Sequence, residues 1–161
     1  KEKLDASGYA QMLACTTQLN TPGAALAALD GVHAMTDVTG FGLAGHALEM
    51  ARAAGCTVHL DWSNVPLLDG VRVLAEGGSV TGASARNWAA YGHEVSLGQG
   101  LSSVDQALLC DPQTSGGLLV SCAPQAVAEV LAIFKAHGFA AACVVGDVRA
   151  RASAATALRV A

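Results

Sequence analysis

Charge is scarce in this sequence. Of its 161 residues only 14% are Asp, Glu, Lys or Arg, and only 4% are aromatic. Nine Lys and Arg are outnumbered by 13 Asp and Glu, for a net charge of -4 at pH 7. The basic residues nowhere cluster, so the positive stripe that neutralises a nucleic-acid backbone is missing and no nucleic-acid partner is expected. No apolar run approaches the roughly 18 residues that cross a bilayer, and Lys1-Glu2-Lys3 has no signal-peptide core behind it. Neither membrane insertion nor export is expected. There is no Cys-x-x-Cys pair, P-loop or nucleophile elbow, which removes structural zinc, dithiol redox, Walker-type and serine-hydrolase readings. His33, His46, His59, His93 and His137 lack paired ligand spacing, and His137 is expected to complete a helix end.

What is present is apolar. Hydrophobic residues make up 52% of the chain, which excludes disorder and leaves little charge to cover a fully solvated surface. One domain is expected over residues 1–161, with part of its surface covered by another chain or domain. Cys15, Cys56, Cys110, Cys122 and Cys143 are odd in number and sit in apolar runs, as buried reduced thiols of a cytoplasmic protein do. The absence of an initiator Met points to a piece of a longer chain whose preceding part holds most of the chemistry.

Helical spacing of Ala10, Leu13 and Ala14 predicts a helix over residues 7–19, and Asn20-Thr21-Pro22 ends it and caps a second helix over 22–29. A short strand follows over 31–35. Leu43, Ala47, Met50 and Ala54 share one face of the next helix, and Gly55 is its expected left-handed cap. Residues 56–61 alternate as a strand. Residues 67–75 read as helical, residues 76–92 as largely irregular, and 93–97 as a strand. The continuous apolar run 117–122 predicts a central strand, and 124–138 a helix that Gly138 terminates. Residues 142–148 and 157–160 read as two closing strands in a hairpin-like ending. Strands and helices alternate but the chain ends in adjacent strands, so the expected class is α+β: an α/β sandwich with a mixed sheet covered by helices.

Two segments could carry chemistry. In Thr36-Asp37-Val38-Thr39-Gly40-Phe41-Gly42-Leu43-Ala44-Gly45 a carboxylate stands at a strand end beside a Gly-rich turn and a helix N-terminus, where backbone amides favour phosphate. A carboxylate beside phosphate needs a cation between them, so Asp37 is a metal-ligand candidate; the same spacing also suits Asp37 or Thr39 as a plain helix cap. Gly40, Gly42 and Gly45 match G-x-G-x-x-G, with Asp61 ending the next strand. The polar residues between strand and first Gly, the short preceding strand and the lack of continuing βα units argue against a dinucleotide fold. The second segment, Asp111-Pro112-Gln113-Thr114-Ser115-Gly116-Gly117, either presents hydroxyls and amides to an anion or simply launches the next strand. Arg86-Asn87-Trp88 and Tyr91 form a polar-aromatic group that suits either a contact surface or, the preferred reading, a local core.

Together, Met35 to His46 and Asp111 to Leu119 resemble two signature segments of the selenophosphate synthetases (selenide, water dikinases). Ala85-Arg86-Asn87-Trp88 and Gly146-Asp147-Val148 are also similar, so the resemblance covers nearly the whole chain. It implies the C-terminal domain of a two-domain enzyme in the aminoimidazole ribonucleotide synthetase-like superfamily. Such enzymes make selenophosphate, AMP and orthophosphate from selenide, ATP and water. The resemblance implies Mg2+ on Asp37, with Thr39, Gly40 and Gly42 shaping the adjacent nucleotide-binding turn. It further implies a cytoplasmic enzyme, a homodimeric parent, and a reactive Cys or selenocysteine, a Lys and further aspartates in an N-terminal domain outside this sequence. The fragment alone is therefore expected to be inactive, and none of its residues is assigned a catalytic role. The alternatives are the corresponding domain of another ATP-dependent enzyme of the superfamily, and a non-catalytic interaction domain.

Overall fold

The computed structural model describes residues 4–152 and 156–161. The Lys1-Glu2-Lys3 start, and part of the turn expected between the last two strands, lie outside them. Helix α1 (Ala6–Thr17) begins on Asp5, whose carboxylate accepts the Gly8 amide at 2.7 Å, and buries none of its residues. Pro22 opens α2 (Pro22–Ala27), with its fixed φ already helical. Then come β1 (Val32–Asp37) and α3 (Gly42–Ala54), which ends on Gly55 at φ 62°, as expected. After β2 (Cys56–Leu60) a single 3-10 turn (Trp62–Asn64) leads to α4 (Val71–Glu76) and α5 (Gly82–Tyr91). The rest is β3 (Val95–Leu97), α6 (Ser103–Leu109), β4 (Leu118–Cys122), α7 (Val127–Ala136), β5 (Gly146–Ala150) and β6 (Leu158–Val160).

These strands form a mixed four-stranded sheet in the order β3-β6-β2-β5 and an antiparallel pair of β1 with β4. In the larger sheet β6 runs parallel to both β2 and β3, and β5 runs antiparallel to β2. One apolar cluster joins α3 (Ala44, Ala47, Leu48, Ala51) to β2 and β6 through Leu60, Leu158 and Val160. A second joins Leu26 of α2 to Val130 and Phe134 of α7, against Val32, Met35 and Leu118 of the strand pair. The architecture is the expected one, a mixed α/β arrangement in which helices cover a mixed sheet.

Several local expectations change. β5 and β6 are not a hairpin: each pairs with β2, on opposite sides of it. β4 is not central among the described residues, since β1 is its sheet partner. Residues 82–91, expected to be irregular, form α5, because Thr81 accepts the Ser84 amide as an N-cap and outweighs the flanking Gly and Ser. The buried stripe of α3 runs through Ala44, Ala47, Leu48 and Ala51, whereas Ala54 is exposed. Cys110 alone among the cysteines is buried; Cys15 and Cys143 are exposed, the first on α1, which buries none of its residues.

Candidate functional site

The antiparallel register pairs Asp37 with Leu118, so the end of β1 and the start of β4 lie side by side and the two signature segments leave the sheet at one place. They are then stitched together. The Val38 amide donates to Gly117 O at 2.9 Å, and the Gln113 amide donates to Thr39 O at 3.0 Å. Gly116 lies so close to Val38 that a Cβ there would collide with the Val38 carbonyl oxygen. Asn20, just after α1, closes the arrangement by donating its side-chain amide to Gly116 O at 2.9 Å. Beside them is a cleft of about 210 Å3, lined by Asp37, Thr39, Thr114 and Ser115 together with Thr16, Gln18 and Asn20.

Asp37 is exposed in this cleft, and its carboxylate takes no hydrogen bond from any described residue. The capping alternative fails for both candidates: α3 has Phe41 at its N-cap and no side-chain bond there. Thr39 instead has its hydroxyl 3.1 Å from His46 Nε2. The two glycines stand beside the cleft rather than in its lining. Gly40 is exposed, and a Cβ on it would meet nothing within 4 Å. Gly42 has φ 69°, and its missing side chain lets the start of α3 press on the backbone of Leu109 and Cys110.

Asp111 does not line the cleft with Asp37. Its carboxylate accepts long bonds of 3.4 Å from Thr81 and Ser84 at the start of α5, and one of 3.2 Å from Gln113 Nε2. Burial pushes the Asp111 carboxyl up, against the opposing pull of these bonds. Asp111 thus fastens the second segment to α5, leaving Thr114 and Ser115 to face the cleft.

Helix α5 also fastens the first segment. The Asn87 side-chain amide donates to Gly40 O at 2.9 Å and Cys110 O at 3.0 Å, and the Tyr91 hydroxyl donates to Phe41 O. Burial raises the Tyr91 phenol far above its ordinary range, so it stays a neutral donor. Buried His46 adds an inner support, with Nε2 on Thr39 and Nδ1 2.8 Å from Glu49 Oε2, out of line for a hydrogen bond. Thr16, Gln18, Asn20 and Asn87 are not among the candidates that the sequence offers. Asn20 reads there only as a helix stop, and Asn87 lies in a stretch without visible periodicity.

A larger cavity of about 450 Å3 lies elsewhere, beside Trp62, Leu101 and Arg72. Its polar groups are already committed: Asp105 accepts Trp62 Nε1 and Arg72 at 2.7 Å each on one oxygen and the Ser102 amide and hydroxyl on the other. The smaller cleft is the better site, because the Asp37 carboxylate and the Thr114 and Ser115 hydroxyls that line it are unengaged among the described residues, whereas the Thr39 hydroxyl is shared with His46. Asp37 with the Thr39, Thr114 and Ser115 hydroxyls is a hard-donor set that suits Mg2+. Among the described residues no three His, Cys, Asp or Glu side chains gather as a full cation cage, and Asp37 is the one carboxylate that lines the cleft.

Residues 16–158 match the family described as "AIR synthase related protein, C-terminal domain". The chain is 63% identical over 148 residues to a protein named selenide, water dikinase from Burkholderia pseudomallei, covering 92% of this chain and 42% of that one. It is 53% identical over 148 residues to the protein of that name from Dechloromonas aromatica, with the same coverage. The protein of that name from Rhizobium meliloti is 48% identical over 153 residues, covering 95% of this chain and 44% of that one. The chain therefore spans well under half the length of these curated relatives. Among solved structures, E. coli HypE, a hydrogenase maturation protein, shares the fold at a TM-score of 0.60 and 21% identity, covering 87% of this chain and 35% of that one.

Proposed function

This chain belongs to the AIR synthase related protein, C-terminal domain family, and from that premise we propose that residues 1–161 form one domain, the C-terminal half of a two-domain selenide, water dikinase. The whole enzyme joins the selenium of selenide to a phosphoryl group of ATP and adds water to a second phosphoryl bond. The products are selenophosphate, orthophosphate and AMP. The relatives' names support the selenide and water chemistry, and their additional length leaves room for an ATP-binding and catalytic domain ahead of this one. The parent is assigned to the cytoplasm as a homodimer. No helix among the described residues is long and apolar enough to cross a membrane.

The observation that carries the reading is the meeting of the two signature segments around an unengaged carboxylate. Bound Mg2+ supplies charge neutralisation between nucleotide phosphate oxygens. Asp37 would hold it from this side of the site. Thr114 and Ser115 would donate their hydroxyl protons to phosphate oxygens, and Thr39 would present the turn that β1 and His46 hold in place. Gly40 and Gly42 would act through backbone shape, since neither lines the cleft. This domain covers and neutralises; the bond-making groups belong to the preceding domain.

The test is selenophosphate formation by the full-length enzyme, followed by phosphorus NMR at varied ATP and Mg2+. Asp37→Asn keeps size and shape but loses the anionic ligand, and is expected to cost about 100-fold or more in kcat/KM, on the order of 3 kcal/mol of transition-state stabilisation. A fully active Asp37→Asn enzyme would return Asp37 to a surface residue without a ligand role, and an inactive parent enzyme would remove the dikinase assignment itself.

A further inference from the structure

The two cleft-forming turns are far apart in sequence, and one side chain belonging to neither holds both. Asn87, on α5, donates one side-chain amide to Gly40 O at 2.9 Å and to Cys110 O at 3.0 Å. Gly40 directly follows Thr39, and Cys110 directly precedes Asp111. The two bonds therefore grip the first turn just beyond its cleft residues and the second just ahead of its own.

Asn suits this position for a chemical reason. Its NH2 carries two protons at one point and can serve two carbonyl oxygens at once. Asp has the same size but no donor and would set a carboxylate against both carbonyls. Thr81 and Ser84 on Asp111, and Tyr91 on Phe41 O, tie the ends of α5 to one segment each, so Asn87 is the side chain of α5 that bonds both. No side chain packs where a Cβ of Gly40 would stand, so packing does not fix this part of the turn.

We propose that Asn87 is a positioning residue that sets the separation between Asp37 and the Thr114 and Ser115 hydroxyls, and so the fit of the cleft to a magnesium-bound nucleotide phosphate. The inference rests on the function proposed above. It predicts a local defect: without the clamp the joint between the turns loosens, although the Val38–Gly117 and Gln113–Thr39 bonds still link them, while the β2-centred sheet and the core on α3 are undisturbed.

The experiment compares full-length enzyme with Asn87→Asp, Asn87→Ser and no substitution, measuring amide hydrogen exchange without ligand and steady-state kinetics with MgATP. The Gly42 and Gln113 amides both donate to Thr39 O and report on the joint between the turns. In Asn87→Asp their exchange is expected to rise at least about tenfold, as does the KM for MgATP, with kcat changed less. Amides of β2 are expected to exchange at the parent rate, and Asn87→Ser, which keeps one donor proton, to fall between. Parent-like exchange and KM in Asn87→Asp would overturn the proposal. So would faster exchange spread evenly into β2, which marks a general loss of stability. If the unsubstituted enzyme makes no selenophosphate, the dikinase reading fails and this inference with it; if it does, a silent Asn87→Asp sinks the clamp alone.

Discussion

Gly40 and Gly42 lie two residues apart in the same turn, yet they answer to different physics, and an alanine at each separates the two. At Gly42 the backbone has φ 69°, and an added Cβ would stand 2.7 Å from Cys110 C, 2.8 Å from Leu109 O and 2.9 Å from Cys110 Cα. These are main-chain atoms in the last turn and cap of α6, and they cannot rotate aside as a flexible side chain would. The left-handed backbone costs an alanine about 1–2 kcal/mol. Overpacking against a rigid neighbour adds about 1–3 kcal/mol. The narrower unfolded ensemble of alanine offsets about 0.4–1 kcal/mol. Gly42→Ala is therefore expected to lose about 2–4 kcal/mol. At Gly40 the φ is not positive and nothing lies within 4 Å of the added atom, so Gly40→Ala is expected to lose nothing. Urea unfolding followed by the fluorescence of Trp62 and Trp88 reads both, and the Gly42→Ala midpoint should fall by roughly 1–2 M. A Gly42→Ala protein within about 0.5 kcal/mol of the parent, inside the usual scatter of surface changes, would refute the close-approach argument. So would an equal loss at Gly40.

The carboxyls give two pH predictions of opposite sign. Burial alone would raise Asp105, but the bonds from the Ser102 hydroxyl and amide, Trp62 and Arg72 outweigh it and hold the group well below the carboxylate range. Its contribution is therefore complete above an unfolded value near pH 4 and lost as the solution is acidified further; thermal melts from pH 7 to pH 3 should fall more steeply for the parent than for Asp105→Asn, and parallel curves would contradict this. Burial raises Asp111, so the folded state binds its proton more readily than the unfolded chain and stability from this group falls as pH rises through the folded value. Asp111→Asn should then compare best with the parent at pH 7 and lose that advantage towards pH 4, whereas an advantage growing in acid would show the sign to be wrong.

What is legible in the sequence is what depends on neighbours along the chain. The stop at Gly55, the alternation over β2 and the spacing of Val127, Val130, Leu131 and Phe134 are local signals, and the elements stand where those signals put them. Partnership between distant elements is not legible. β6 is a three-residue strand whose partners are β2 and β3, and nothing in Leu158-Arg159-Val160 distinguishes that from a hairpin with β5. α5 is hidden for another reason: its small apolar residues are alanines, and Arg86 and Asn87 interrupt any apolar stripe they could form. The same holds at the site. A carboxylate beside a Gly-rich turn is visible in Thr36-Asp37-Val38-Thr39, but the meeting with Thr114 and Ser115 comes from the antiparallel β1–β4 register, and the Asn20 and Asn87 contacts from packing over 96 and 47 residues of separation.

The bareness of α1 bears on how such a cleft is completed. A 12-residue helix is marginal in water unless an apolar face is covered, and α1 buries none of its residues while leaving Tyr9 57% and Leu13 48% exposed. Leu19, just beyond it, is 77% exposed. Yet Thr16 near the end of this helix, with Gln18 and Asn20 after it, lines the same cleft as Asp37. On the function proposed above, a preceding domain would cover Tyr9 and Leu13 and so also hold the residues that share the cleft with Asp37. Covering that face and completing the cleft would then be one event.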